Sequence, residues 1–206
     1  TELIFEFEGD HRKQPLEVSL DTSARVYAHV EVESQPEIAP RVAENHGFGI
    51  ERTYHRLTSE GAVEPIDTLE VGDLVLVTLH LSIPENEKFN YLAIDDPLPA
   101  VFEAVNPEFK TQAGDQQHAF HGDWKRLYCN HTELRTDRAL FFCDYLYRGG
   151  DFAIQYLARV VAPGETTAPP AKIEAMYEPQ RYGLSSTLRI TAKTLDVSPT
   201  HRVAEN

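Results

Sequence analysis

The stretch "LVLVTLHLSI", Leu74 to Ile83, alternates with a period of two. Val75, Val77, Leu79, Leu81 and Ile83 share one face, while Leu74, Leu76, Thr78 and His80 share the other. Successive side chains of an extended strand point to opposite sides of a sheet, so the pattern predicts a strand with one fully apolar face and one mixed face. The same period returns in "DFAIQYLARVV", which puts Phe152, Ile154, Tyr156 and Val160 on one side. Between them "ALFFCDYLY", Ala139 to Tyr147, is rich in the aromatic residues that strands favour.

Turn signals punctuate these runs: "EVGD" at Glu70 to Asp73, "RGGD" at Arg148 to Asp151, "APGE" at Ala162 to Glu165 and "APP" at Ala168 to Pro170. Two glycines accept positive φ, so Tyr147 to Phe152 reads as a tight hairpin. Helical periodicity is scarce. "AVFEAVNPEFK" supports a turn or two before Pro107 stops it, and Asn106 to Gly122 reads as a long polar loop. Roughly nine to eleven strands at this spacing predict an all-β antiparallel sandwich. Val75, Val77, Leu79, Leu81, Phe152, Ile154 and Tyr156 are its expected interior. Upstream, "LIFEFEG" (Leu3 to Gly9) and "ARVYAHVEVES" (Ala24 to Ser34) also alternate. The proline-bearing connector Gln35 to Gly47 follows, so a boundary is expected near residue 40, with the sandwich over 41–206. "RVAEN" occurs at Arg41 and again at Arg202, too short to be a structural repeat.

Composition narrows the partners. The chain has 206 residues, 41% of them hydrophobic, enough for a packed core. A net charge of -14 makes nucleic acid and anionic membranes poor partners. No apolar run reaches the about 18 residues of a membrane span. No signal peptide is recognisable at the strand-like opening at Thr1, so what came before it is expected to have been removed.

Three groups of residues are candidates for chemistry. Asp95 and Asp96 are adjacent at the end of "YLAIDD". Strand neighbours diverge, whereas a working acid/base pair must converge, so the expected role is a strand end whose acid caps the rigid turn at Pro97 and Pro99. His118, His121, Cys129, His131 and Cys143 hint at zinc, but their spacing matches no common site; neither metal nor cofactor is expected. Cys129 and Cys143 are equidistant from Thr136, so a bend at "LRTDR" would face them across adjacent strands, within reach of a disulfide unless a bulge shifts the register. Arg138 beside Asp137 reads as a charge pair at that turn. Tyr177 and Tyr182 in "MYEPQRYG" are candidate surface aromatics of a binding site; equally, "IEAMYEP" reads as an ordinary strand ending at Pro179. No nucleophile or phosphate-binding motif occurs, and no enzyme is expected.

The order of five pieces carries a resemblance: "GFGIERTY", "LEVGDLVLVTLHL", "YLAIDDPLPAVFEAVNP", "LRTDRALFF" and "FAIQYLARVVAPGETTAPPAKIEAMYEPQRYGLSS". Over about Gly47 to Lys193 the chain resembles the C-terminal region of bacterial alpha-2-macroglobulin-like proteins. The resemblance implies a macroglobulin-like sandwich without catalysis of its own, taken from an extracytoplasmic trap, periplasmic, cell-surface or secreted, that inhibits endopeptidases. In such a trap a Cys-x-Glu-Gln thioester captures the attacking protease, and the terminal domain covers the thioester. Neither "CNHT" at Cys129 nor "CDYL" at Cys143 is that motif, so the thioester domain is expected outside this chain. Implied partners are the thioester domain, the other macroglobulin domains and the trapped proteases. Residues 1–40 are then strands returning from a preceding CUB-type domain, or extra strands of the sandwich. Met176, Tyr177 and Trp124 are the implied shielding or interdomain residues; the plainer reading buries Met176 in the core and sets Trp124 at an edge. Two other functions compete: a carbohydrate- or protein-binding module, and a hydrolase using His118, His121 or the aspartate pair.

Overall fold

The computed structural model describes residues 40–66, 68–105 and 124–194, all inside a unit that runs from Ile38 to Asn206. The strand-like stretches before residue 38, the assignment of residues 1–40, the second "RVAEN", the loop expected at Asn106 to Gly122, and His118 and His121 all lie outside the described residues.

Fifteen strands and no helix occur among the described residues. One sheet contains, in spatial order, β1 (Glu44–His46), β14 (Glu178–Leu184), β13 (Lys172–Ala175), β6 (Phe89–Pro97), β10 (Arg138–Leu146) and β9 (His131–Leu134). The facing sheet runs β3 (Val63–Pro65), β2 (Gly49–Leu57), β5 (Leu74–Ile83), β11 (Gly150–Val160) and β7 (Phe102–Ala104), with β8 (Lys125–Arg126) added parallel to β11. A small third sheet, β12 (Gly164–Ala168), β15 (Leu188–Lys193) and β4 (Leu69–Glu70), adds Leu69, Ala168, Ile190 and Ala192 to the same core.

Alternation places the side chains as the pattern predicts. Val75, Val77, Leu79 and Leu81 are fully buried, Ile154 and Tyr156 are buried, and Phe152 packs partly buried against them. Register explains their company: Leu79 lies opposite both Arg52 of β2 and Ile154 of β11. From the other sheet Leu92, Ile94, Phe141 and Ile173 meet this face. The mixed face of β5 is also partly covered, because Leu76 joins Leu57 and Leu157 in a second, smaller cluster.

Two local expectations are corrected. Tyr147 to Phe152 is no hairpin: β10 pairs with β6 and β9, and β11 pairs with β5, so the chain crosses between sheets here. Both strands carry an apolar face, and placing them in opposite layers buries both faces against each other. Gly149 belongs to the crossing because a β-carbon there would stand 1.9 Å from the Pro84 carbonyl oxygen. "AVFEAV" is not helical either. Phe102–Ala104 is a strand on β11, which buries Phe102 edge-on against Tyr54 at 5.6 Å between ring centres.

Candidate functional site

The adjacent aspartates diverge, as neighbours in a strand must. Asp95 faces outward and pairs with Arg138 at 3.2 Å, and Arg138 also holds Asp137. Asp96 faces inward beside Leu92 and Ile94 and is wholly buried. It does not cap the turn, as the proline pattern suggested. Its Oδ1 accepts a short hydrogen bond from Arg52 Nη1, and its Oδ2 accepts one from the Tyr156 hydroxyl at 2.6 Å. Arg52 also donates to the carbonyls of Pro97 (3.2 Å) and Pro169 (2.6 Å). Burial pushes the Asp96 carboxyl above the ordinary carboxylate range, while the Arg52 charge and the Tyr156 hydroxyl pull it back. Such a pair, closed off from water with only Arg52 Nε left without a partner, can tie the two sheets together, but it has no room for a substrate.

Cys129 and Cys143 form a disulfide with a Cα separation of 4.2 Å. The bend at "LRTDR" is present, closed by the Arg135 amide donating to the Arg138 carbonyl. The pairing differs from simple symmetry about Thr136. Ala139 lies opposite Leu134 and Phe142 opposite His131, one residue out of the expected register. The bond still forms because Cys129 precedes β9, where the backbone is not held to the ladder, and the Asn130 side chain accepts the Asp144 amide at 2.9 Å. Denatured protein should therefore show no free thiol by colorimetric titration until reductant is added, and then both; free thiols beforehand would contradict the bond. His131 lies against Glu133 and the Phe142 ring instead of a metal set, and no cluster of metal-ligating residues occurs among the described residues.

The "EAMYEP" segment is a hairpin turn between β13 and β14 instead of a strand running to Pro179. Its two central side chains are exposed, Met176 by 49% and Tyr177 by 77%. The Met176 amide donates to the Tyr91 carbonyl at 2.9 Å. Tyr91 has φ of 57°, the left-handed region that side chains rarely adopt outside glycine. Its ring stands edge-on to Tyr177 at 5.3 Å. Next to it in the sheet, Tyr145 lies opposite Asn90 and is T-stacked on the exposed Tyr147 at 4.1 Å. One end of this sheet thus presents four tyrosines and the only methionine of the chain. The surface is suited to packing.

A family model for the bacterial alpha-2-macroglobulin MG10 domain matches residues 47–180. The chain belongs to this family. Among curated relatives, an alpha-2-macroglobulin homolog of Nostoc sp. is 29% identical over 135 residues, covering 66% of this chain and 7% of the relative. Alpha-2-macroglobulin of Escherichia coli is 30% identical over 178 residues, covering 80% of this chain and 10% of the relative. The chain therefore spans a tenth or less of the length of these two relatives. Among solved structures, Escherichia coli alpha-2-macroglobulin activated by porcine elastase superposes with a TM-score of 0.58 at 26% identity, over 74% of this chain and 14% of that one. The native Escherichia coli protein from domain MG7 to the C-terminus gives 0.57 at 27% identity, over 74% and 24%.

In this MG10 domain the three side chains singled out from the sequence do not share one surface. Met176 and Tyr177 belong to the sheet of β6, β13 and β14. Trp124, 41% exposed, precedes β8 on the other sheet and packs against His80 of β5 at 4.7 Å. Arg52 and the exposed Tyr91, Tyr145 and Tyr147 were missed by sequence reasoning. Arg52 was open to discovery as a charge on the inward face shared by Ile50 and Tyr54; the tyrosines carried no local signal.

Proposed function

We propose that this MG10 domain is a non-catalytic module of an alpha-2-macroglobulin-type protease trap, and that its Met176–Tyr177 turn packs on the thioester domain of the parent protein. The parent acts outside the cytoplasm, where a disulfide such as Cys129–Cys143 persists. The observation that carries the reading is the exposed turn itself. An unbranched thioether and a phenol ring stand out of the fold, backed by Tyr91 in a strained conformation that the Met176 amide helps to hold. Strain of about 1–3 kcal/mol persists where the surrounding structure enforces it, commonly at functional sites. Large apolar groups exclude water from a surface at modest entropic cost, which a hydrolysable thioester needs. That an Escherichia coli relative is described as activated by porcine elastase fits a parent that responds to proteases.

The test is Met176→Ala in the full-length parent, followed by release of the thioester thiol over time. Several-fold faster loss is expected, with the melting temperature of this domain unchanged because the side chain lies outside the core. An unaltered thioester lifetime would remove Met176 from the role.

A further inference from the structure

A second feature lies away from the Met176 turn. A cleft of about 310 Å³ opens between the edge strand β1 and the outer face of β2 and β5. Its floor is Gly49, Ile50 and Glu51 of β2 with His80 and Ser82 of β5; its walls are Ala43 to Asn45, Leu184 and Trp124. Gly49 opens β2 opposite Ser82 of β5, and its φ is not positive. Its backbone does not call for glycine. A β-carbon there would instead press on Ser82 Cβ at 3.3 Å and Asn45 Nδ2 at 3.4 Å. Glycine inside a strand weakens it and often marks a place where a ligand or another backbone comes close.

The polar groups around this floor are already sorted into donors and acceptors. Asn45 Oδ1 accepts the Gly47 amide at 3.0 Å, which fixes the side-chain amide and leaves Nδ2 as a donor. The Ser82 hydroxyl donates to Asp151 at 2.8 Å, leaving its oxygen as an acceptor. Glu44 is engaged with Tyr182 and His46. Glu51 is an exposed carboxylate beside His80. Burial lowers the His80 pKa, so the imidazole adds no positive charge, and its Nδ1 is buried without a partner. Trp124 is held from one side by the His80 ring and stays half-open to solvent.

We propose that this cleft binds a neutral sugar ring of a glycan, stacked on Trp124 and hydrogen-bonded through Glu51 and Asn45. A pyranose presents an apolar C–H face for an indole and hydroxyls that both donate and accept. It therefore matches a donor amide beside a carboxylate acceptor. The volume is at the lower end of ligand-pocket sizes and suits one or two sugar units. A lysine or arginine side chain fits less well: it would leave the Asn45 donor facing a cation, with Lys125 next along the chain from Trp124. Acidic sugars are disfavoured by Glu44 and Glu51.

Trp124 is the only tryptophan, so tryptophan emission, excited beyond the absorption of the tyrosines, reports this cleft alone. The chain should be titrated with cellotriose, maltotriose and chitotriose, and in parallel with tetralysine. At least one trisaccharide should give a saturable change with half-saturation near or below about 1 mM. Glu51→Ala, at an exposed position, should weaken it about tenfold or more without moving the melting temperature. Asn45→Asp retains the acceptor for the Gly47 amide but turns the donor into an acceptor. It should weaken the sugar, whereas a cation site would be strengthened by it. The proposal is overturned if no trisaccharide saturates by about 20 mM. It is equally overturned if both variants bind sugar as the original does, or if tetralysine saturates the signal and Asn45→Asp tightens it.

Discussion

Asp96→Ala should destabilise the domain by about 3–5 kcal/mol, because it leaves the Arg52 guanidinium buried without its counter-charge. Arg52 has no exposed side-chain surface and sits between two sheets, so it cannot swing out to water. The cost comes from stranding a charge, not from losing the strength of one bond. A paired replacement, Arg52→Met with Asp96→Leu, should recover most of the loss, since apolar groups of similar volume often substitute for a buried ion pair. Tyr156→Phe, which removes one neutral donor to the carboxylate, should cost about 1–2 kcal/mol. Urea unfolding of the four proteins measures all of this. A loss below about 1 kcal/mol for Asp96→Ala would mean that the pair is solvated or replaceable by water.

Gly149→Ala should be as damaging, by about 3 kcal/mol or more. The new methyl would fall 1.9 Å from the Pro84 oxygen, 2.5 Å from the Pro84 carbon and 2.7 Å from the Ile83 oxygen. These are backbone atoms at the end of β5, and they cannot turn away as a side chain would. Either β5 or the chain crossing to β11 has to shift, and the Gly150–Ile83 pairing lies next to it. Gly61→Ala provides the comparison. That residue also lies in a turn, with φ of 84°, but nothing stands within 4 Å of its added carbon. Only the left-handed backbone is then strained, at about 1–2 kcal/mol. Melting temperatures that fall equally in the two variants would show that the crossing yields more easily than its geometry implies.

The layers of this fold could be read from alternation alone. β5 and β11 each turn one apolar stripe inward, and both stripes are buried as the period requires. The resemblance carried by five short motifs supplied the family. What the pattern missed depends on which strands end up opposite one another. Asp96 and Arg52 each sit on an inward face, and each was legible as a charge in an apolar row. That they neutralise each other was not legible, because β2 and β6 belong to different sheets and no local period reports it. The Tyr147–Phe152 crossing was misread for the same reason: two glycines permit a tight turn, but only partner choice decides between a hairpin and a change of layer. The register of the cysteine hairpin slipped by one residue, because the centre of a five-residue bend cannot be placed from symmetry. At the candidate surface, Met176 and Tyr177 were found by their chemistry. Tyr91, Tyr145 and Tyr147 were not, since their exposure arises from one residue in a left-handed conformation and from the end of a strand.

The strand order also sets when this chain can acquire structure. β1 closes on β14, β4 on β15 and β5 on β11, so several early segments need late ones, although β5 also has β2 as an early partner. Closing such wide loops precedes any gain from the contacts they allow, which places a sandwich of this kind on the slow, millisecond-to-second side of folding. During synthesis from the N-terminus, the inward face of β5 stays uncovered on its β11 side until the ribosome has passed Val160, and the third sheet waits for Leu188–Lys193. A polypeptide ordered in this way completes its sandwich only once its late strands have been made.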